Sequence, residues 1–335
     1  MNLVQRAVQY GGELAPLVIS KGLTSGTGLM NPSIFIDNDG DILVNLRHVN
    51  YTLYHAENKQ LFSSRWGPLS YLHPEKDLRL VTTNYLCRLD ENLKMTDYAK
   101  VDTSALDVPP IWEFVGEEDC RLVQWDNDYY LIGVRRDTTT NGEGRMELSK
   151  IEIDKANWNV KEVSRLRIPT PGDNSSYCEK NWVPILDKPY HFIKWCSPVE
   201  VVRAHPTEPK CDQVSFRQNL TPPSDQRGSS QLIRWGNMYI SIHHEVILFK
   251  NYLGQKDGLY FHRLAVWDDQ LNLVGLSPNK FTFLDGRVEF CVGIAEFQGD
   301  LLISFGFQDN AAFVLRTPRG VVEDMIMEAL TYEFN

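Results

Sequence analysis

The chain has 335 residues, with 44 acidic against 34 basic side chains and a formal net charge of −10. Hydrophobic residues make up 42 % and aromatics 11 %, which excludes a disordered or collagen-like chain. No apolar run reaches the ~18 residues that cross a bilayer, the opening Met1 to Arg6 has no apolar signal core, and the acidic balance argues against a nucleic-acid-binding face, so a cytoplasmic protein with no membrane or nucleic-acid partner is expected.

Short β-type runs split by tight turns dominate the chain. The first hairpin runs over residues 33–36, turns at Asp37-Asn38-Asp39-Gly40 and returns over 42–47. The second pairs 120–124 with 129–135 across Asp126-Asn127-Asp128, and the third pairs 182–186 with 190–195 across Asp187-Lys188-Pro189. The fourth pairs 230–233 with 238–243 across Trp235-Gly236-Asn237, and the fifth pairs 292–297 with 301–305 across Gln298-Gly299-Asp300. A second hairpin follows each, at 86–93, 148–160, 201–214, 263–273 and 313–322.

An inner plus an outer hairpin makes a four-stranded antiparallel blade. Five such pairs predict an all-β fold, a five-bladed β-propeller around a central channel, because radial repetition protects sheet edges. No Pro/Gly/Ser-rich linker divides the chain, so residues 1–335 read as one domain with blades near 30–98, 117–165, 178–216, 228–276 and 288–325. Only 321–330 reads as a helix, which predicts a short C-terminal one. The six cysteines form no C-x-x-C pair and the histidines no H-E-x-x-H, so no metal site is expected.

An antiparallel hairpin returns to its starting edge. Polar residues flanking the inner hairpins should therefore gather at one mouth of the channel. Before the first strands stand Asn31, Glu118-Asp119, Glu179-Lys180-Asn181, Arg227 and Glu289. After the second strands stand Arg47, Arg135-Arg136, Lys194, His243-His244 and Asp309.

Four local motifs carry a resemblance. They are Asn31-Pro32-Ser33, Glu118-Asp119-Cys120-Arg121, Lys180-Asn181-Trp182 and Gly306-Phe307-Gln308-Asp309, with Ile242-His243-His244 at the end of the fourth hairpin. They resemble the blade-opening and blade-closing motifs of the five-bladed propeller glycosidases. The likeness is greatest to the β-mannoside phosphorylases of glycoside hydrolase family 130 and the related mannosyltransferases. Two departures stand out. Cys120 replaces the proline of the family's Glu-Asp-Pro-Arg, and Asn31 stands where arabinanase-type relatives open with a catalytic Asp, which speaks against their two-carboxylate plan.

The resemblance implies inverting phosphorolysis of a β-mannoside, with inorganic phosphate as co-substrate and no other cofactor. Asp119 would donate the proton, its pKa raised by burial at the mouth. Asn31, Lys180 and Asn181 would bind sugar or phosphate. Arg47, Arg135, Arg227 and His243 would complete an anion site, with Asp309 also at the substrate. Trp112, Tyr177, Trp182, Trp195 and Tyr239 are candidate platforms for sugar faces. A hydrolase, a sugar-nucleotide mannosyltransferase and a non-catalytic glycan- or protein-binding propeller remain alternatives.

Overall fold

Aspartate side chains close several of the turns. Asp37 Oδ1 accepts the backbone N–H groups of Asp39 and Asp41, each at 3.0 Å. Asp90 does the same for Asn92 and Lys94, and Asp268 for Gln270 and Asn272. A carboxylate that satisfies two backbone donors of a reversal makes a tight turn out of a short polar run. The computed structural model describes residues 1–24, 28–52, 70–71, 79–172, 176–218, 220, 222, 224–250 and 256–332, so part of the first expected blade (53–69 and 72–78) lies outside the described residues.

Between the turns the chain is all-β, and the expected hairpins form. The first unit comprises Leu29–Ile36, Ile42–Val49, Leu80–Leu89 and Met95–Asp102. The second comprises Glu117–Trp125, Asp128–Arg135, Arg145–Asp154 and Asn159–Arg167. Their outermost strands meet in a short parallel pairing, Val160 opposite Val101, which fuses the two, with the short strand Phe114–Val115 alongside Leu80–Leu89, into one nine-stranded sheet. The third comprises Val183–Pro184, His191–Cys196, Val199–Ala204 and Cys211–Arg217. The fourth has Arg227–Gly228 and Ile233–Trp235 on Met238–Lys250, then Lys256–Trp267 and Leu273–Leu276.

The fifth unit corrects the sequence reading. Glu289–Phe297, Asp300–Phe307 and Ala311–Thr317 form three of its strands, but Val321 and Val322 belong to the helix Arg319–Thr331 and not to an outer strand. The fourth strand is Glu13–Pro16, from the other end of the chain, with Glu13 opposite Arg316 and Pro16 opposite Phe313. A second unexpected element is the helix Leu3–Gln9, started by a capping box in which Asn2 and Gln5 exchange side-chain-to-backbone hydrogen bonds. No helix among the described residues is long and apolar enough to cross a membrane.

Most apolar packing lies between units, although Met30, Val49, Leu80 and Phe114 cluster within the first. One cluster joins units one and two through Phe35, Leu43, Leu122 and Trp158. Others join two to three through Trp125 and Phe192, three to four through Val201 and Trp267, and four to five through Ile242 and Phe305. A further cluster returns from unit five to unit one through Val314 and Ile34. Both terminal helices pack on the cluster between units four and five, through Leu3, Ala7, Val321 and Met325.

Gln231 lies where the first strands of these units meet, and it is fully buried. Its Nε2 lies within hydrogen-bond distance of Ser33 Oγ and of the carbonyls of Ile34 and Leu122, at 3.0–3.2 Å, while its Oε1 accepts the N–H of Ile294. One side chain thus links units one, two, four and five. Gln231→Leu keeps the bulk and orphans these buried groups, each worth ~1–3 kcal/mol. The melting temperature should fall by several degrees, at roughly 2–4 °C per kcal/mol. A variant melting within about a degree of wild type would show that the amide is dispensable.

Candidate active site

The inner strands begin irregularly, and these irregularities build the site. Ladder register slips between Met30 and Ser33 in unit one, and opposite Ile132–Val134 in unit two. Asn31, at the first slip, has φ 45°, Asp119, at the second, has φ 52°, and Asn181, just before the third unit, has φ 62°. Asn and Asp tolerate this left-handed region better than other side chains with a Cβ, but it still costs about 1–3 kcal/mol and concentrates at functional sites. Two glycines make room for these backbones. A Cβ on Gly306 would lie 2.6 Å from Asn31 N, and one on Gly228 would meet the Asn181 carbonyl oxygen. Arg121, fully buried, fixes the second irregularity by donating to the carbonyls of Asp119 (2.7 Å) and Ser229 (2.8 Å).

These residues open onto a cavity of about 230 Å³ to which all five units contribute. It brings together Asn31, Arg47, Asp119, Lys180, Asn181, Arg227 and Asp309, as the sequence suggested. Asp119 Oδ1 accepts from Asn31 Nδ2 and from Arg47 Nη1, both at 2.7 Å. Arg47 is nearly saturated, since it also donates to Thr82, Tyr51 and Glu118. Arg227 is half-exposed and paired with Asp225. Lys180 is exposed and has no hydrogen-bond or ion-pair partner among the described residues.

Two expected members are elsewhere. Arg135 is buried in an ionic cluster, with its Nε 2.8 Å from Glu147 Oε2 and Asp137 nearby. The next residue, Arg136, lines the cavity instead. His243 faces the interior, on Ser241 Oγ and the Trp267 ring, and its neighbour His244 lines the cavity. Successive strand side chains point to opposite faces, so each adjacent pair divides between site and core. Neither imidazole is a cation at neutral pH. Burial pushes His243 down to about 4 and holds His244 well below the ordinary value.

Other candidates have structural partners. Glu289 accepts backbone N–H groups from Phe283, Leu284 and Gly286. Lys194 is buried against Glu200. Trp182 and Tyr239 are core residues, whereas Tyr177 and Trp195 are exposed. Tyr51, Tyr260 and Phe290 line the cavity without having been singled out from sequence. Tyr51 belongs to a strand that the hairpin pattern did not include, and Tyr260 to the part of Lys256–Trp267 that precedes the expected outer hairpin at 263–273. Among the described residues no group of three or more His, Cys, Asp or Glu is placed to hold a metal ion.

Two of the carboxyls lining the cavity, Asp119 and Asp309, are displaced in opposite directions. Burial pushes Asp119 up, but Arg47, Lys180, the Asn31 hydrogen bond and Arg121 outweigh it, so Asp119 lies below the ordinary carboxylate value. This corrects the expectation of a raised pKa there. Asp309 is raised to about 6 by burial, with the charge of Asp119 adding to the rise and Arg47 opposing it.

No family model and no curated protein matches the chain. Solved structures do. A β-1,2-mannobiose phosphorylase from Listeria innocua, in complex with β-1,2-mannobiose, superposes with a TM-score of 0.57 at 12 % identity, over 96 % of this chain and 100 % of that one. A glycosyl hydrolase from Bacteroides ovatus gives 0.58 at 11 % identity, over 88 % and 85 %. The chain shares their fold.

The Asp309 displacement has a signed consequence. The folded protein keeps this proton up to about pH 6, whereas the unfolded chain releases it near the ordinary aspartate value of 3.8. The fold is therefore penalised as pH rises through that window, and the penalty is complete above about 6. Asp309→Asn carries no charge, so it should melt higher than wild type at pH 7–8, with the gap closing at about pH 4. A gap independent of pH in a series of thermal melts would contradict the buried-charge account.

Proposed function

We propose that this chain is a carbohydrate-active enzyme that cleaves a β-mannoside with inversion, using inorganic phosphate. In this reading its five sheet units are the blades of one propeller domain with the cavity at the mouth of its channel. The observation that carries the reading is the convergence of two carboxyls with opposite pKa displacements and cations from four units, Arg47, Arg136, Lys180 and Arg227, in one cavity.

Inverting cleavage of a glycoside needs a nucleophile on one face of the sugar and an acid on the other. A phosphate oxygen forms the new bond to the anomeric carbon as the bond to the leaving oxygen breaks, and that oxygen takes a proton from a carboxylic acid. Water needs a general base, whereas phosphate needs cations to hold it. Excess positive charge facing Glu118 and Asp119 suits phosphate, since Arg and Lys both hold such oxyanions through charge-assisted hydrogen bonds.

Asp119 is the proposed proton donor. In the free protein Arg47 and Lys180 favour its ionised form. A phosphate dianion seated on those cations offsets their charge at Asp119 and raises its proton affinity. The attacking anion then also prepares the acid. A second assignment rests on Asp309, whose carboxyl already holds a proton to about pH 6. There Asp309 donates and Asp119 stays ionised to stabilise the developing positive charge, as pairs of carboxyls with separated pKa values commonly divide acid and ionised roles.

The deciding measurement is incubation with β-linked mannobiose with and without phosphate, scored for mannose 1-phosphate. Phosphate-independent release of mannose would make the protein a hydrolase, and a requirement for a sugar nucleotide a transferase. Asp119→Asn should lower kcat by ~10²–10⁴ with a natural leaving group, the usual worth of general acid catalysis, and by much less with a nitrophenyl leaving group. If Asp309→Asn shows that leaving-group dependence instead, the second assignment holds.

Lys180→Ala should raise the KM for phosphate about tenfold or more, since a charge-assisted contact is worth ~1.5–3 kcal/mol. The KM for the sugar should change less. Equal rises in both would place Lys180 on the sugar.

A further inference from the structure

A second recess adjoins the central cavity on the side of the third and fourth units. Its volume is about 300 Å³, and Lys180, Asn181 and Arg227 form the wall common to both spaces. Its far side carries Trp195 from the strand His191–Cys196. The flanking residues of that strand, Ile193 and Cys196, are 1 % and 3 % exposed, yet Trp195 is 42 % exposed. The ladder slips between Ile193 and Trp195, so Lys194 turns inward to Glu200 while the indole turns out. An indole left this open forfeits burial that the neighbouring aromatics obtain. Glu179 also lines the recess. It is 3 % exposed, its Oε2 accepts from Trp182 Nε1, and its Oε1 has no hydrogen-bond donor.

An exposed aromatic plate, two cationic donors and a carboxylate around a concave space match the chemistry of a pyranose ring. The ring offers an apolar C–H face to the indole, and its hydroxyls both donate and accept. We infer that this recess is a sugar subsite, in which Trp195 stacks on the second ring of an oligosaccharide whose first ring occupies the central cavity. The inference rests on the proposed carbohydrate function and adds the direction in which the substrate extends, from the mouth outward between the third and fourth units. Selectivity for chain length then resides in a residue remote from Asp119 and Asp309.

Calorimetric titration of the intact protein with mannose, β-1,2-mannobiose and β-1,4-mannobiose tests it, using wild type, Trp195→Ala and Trp195→Phe. Wild type should bind one disaccharide at least tenfold more tightly than mannose. Trp195→Ala should erase most of that advantage and leave mannose affinity unchanged, and Trp195→Phe should restore much of it. A disaccharide advantage that survives Trp195→Ala overturns the subsite and leaves the function standing. Loss of affinity for mannose and disaccharide alike also overturns it, because the indole would then be supporting the central cavity. Wild-type protein that binds none of the three sugars overturns the functional reading and the subsite with it.

Discussion

The innermost strand of each unit has a ladder partner on one side only, so its other edge presents N–H and C=O groups to the interior. Water is scarce there, and an unpaired backbone group is costly. The carboxamide of Gln231 answers part of this need by serving strands from three other units at once. Hydroxyls contribute the same way, with Ser304 Oγ accepting from Ile34 N–H and Ser33 Oγ from Leu122 N–H. Because side chains satisfy these edges, the strands need not run as regular ladders. They can bulge at Asn31 and Asp119, and the bulges aim polar groups at the cavity. Buried polar satisfaction and the geometry of the site are therefore one problem with one solution.

Electrostatics follows the same economy. Arg47 is 5 % exposed and uses its guanidinium on Asp119, Glu118, Thr82 and Tyr51, which keeps a buried charge neutralised. It also separates the behaviour of two carboxyls, holding one ionised through contact and opposing, without overcoming, the upward displacement of the other. Arg121 acts chiefly on backbone, and its charge adds a smaller pull toward ionised Asp119. It ties the Asp119 carbonyl to the fourth unit, so the strained residue cannot relax toward an ordinary strand conformation.

The paired hairpins were legible because turn chemistry is local. Asp37, Asp90 and Asp268 sit in short polar runs between apolar ones, and those runs do turn. The mouth residues Asn31, Arg47, Asp119 and Asp309 were legible because hairpin ends share an edge. Facing was not legible. Arg135 and Arg136, or His243 and His244, are equivalent as letters, and a one-residue slip exchanges which of them sees the cavity. The Asp119 pKa was misjudged because the contact with Arg47 crosses between units and leaves no trace in local spacing. The capping signal Asn2-x-x-Gln5 was present in the sequence, and it marks the first helix in hindsight.

The strand Glu13–Pro16 has a consequence for how the molecule is made. It leaves a ribosome long before its partner Ala311–Thr317 does. During synthesis the first strand therefore waits unpaired while the second, third and fourth units assemble behind it. Contacts between such distant positions form late and slowly, and an unpaired strand edge invites association with another chain in the interval. Pro16 at the end of the waiting strand lacks a backbone donor and makes it a poorer template for a foreign partner. The closing strand acts as a latch on the whole assembly, and the sequence of the latch limits what else can be caught in it.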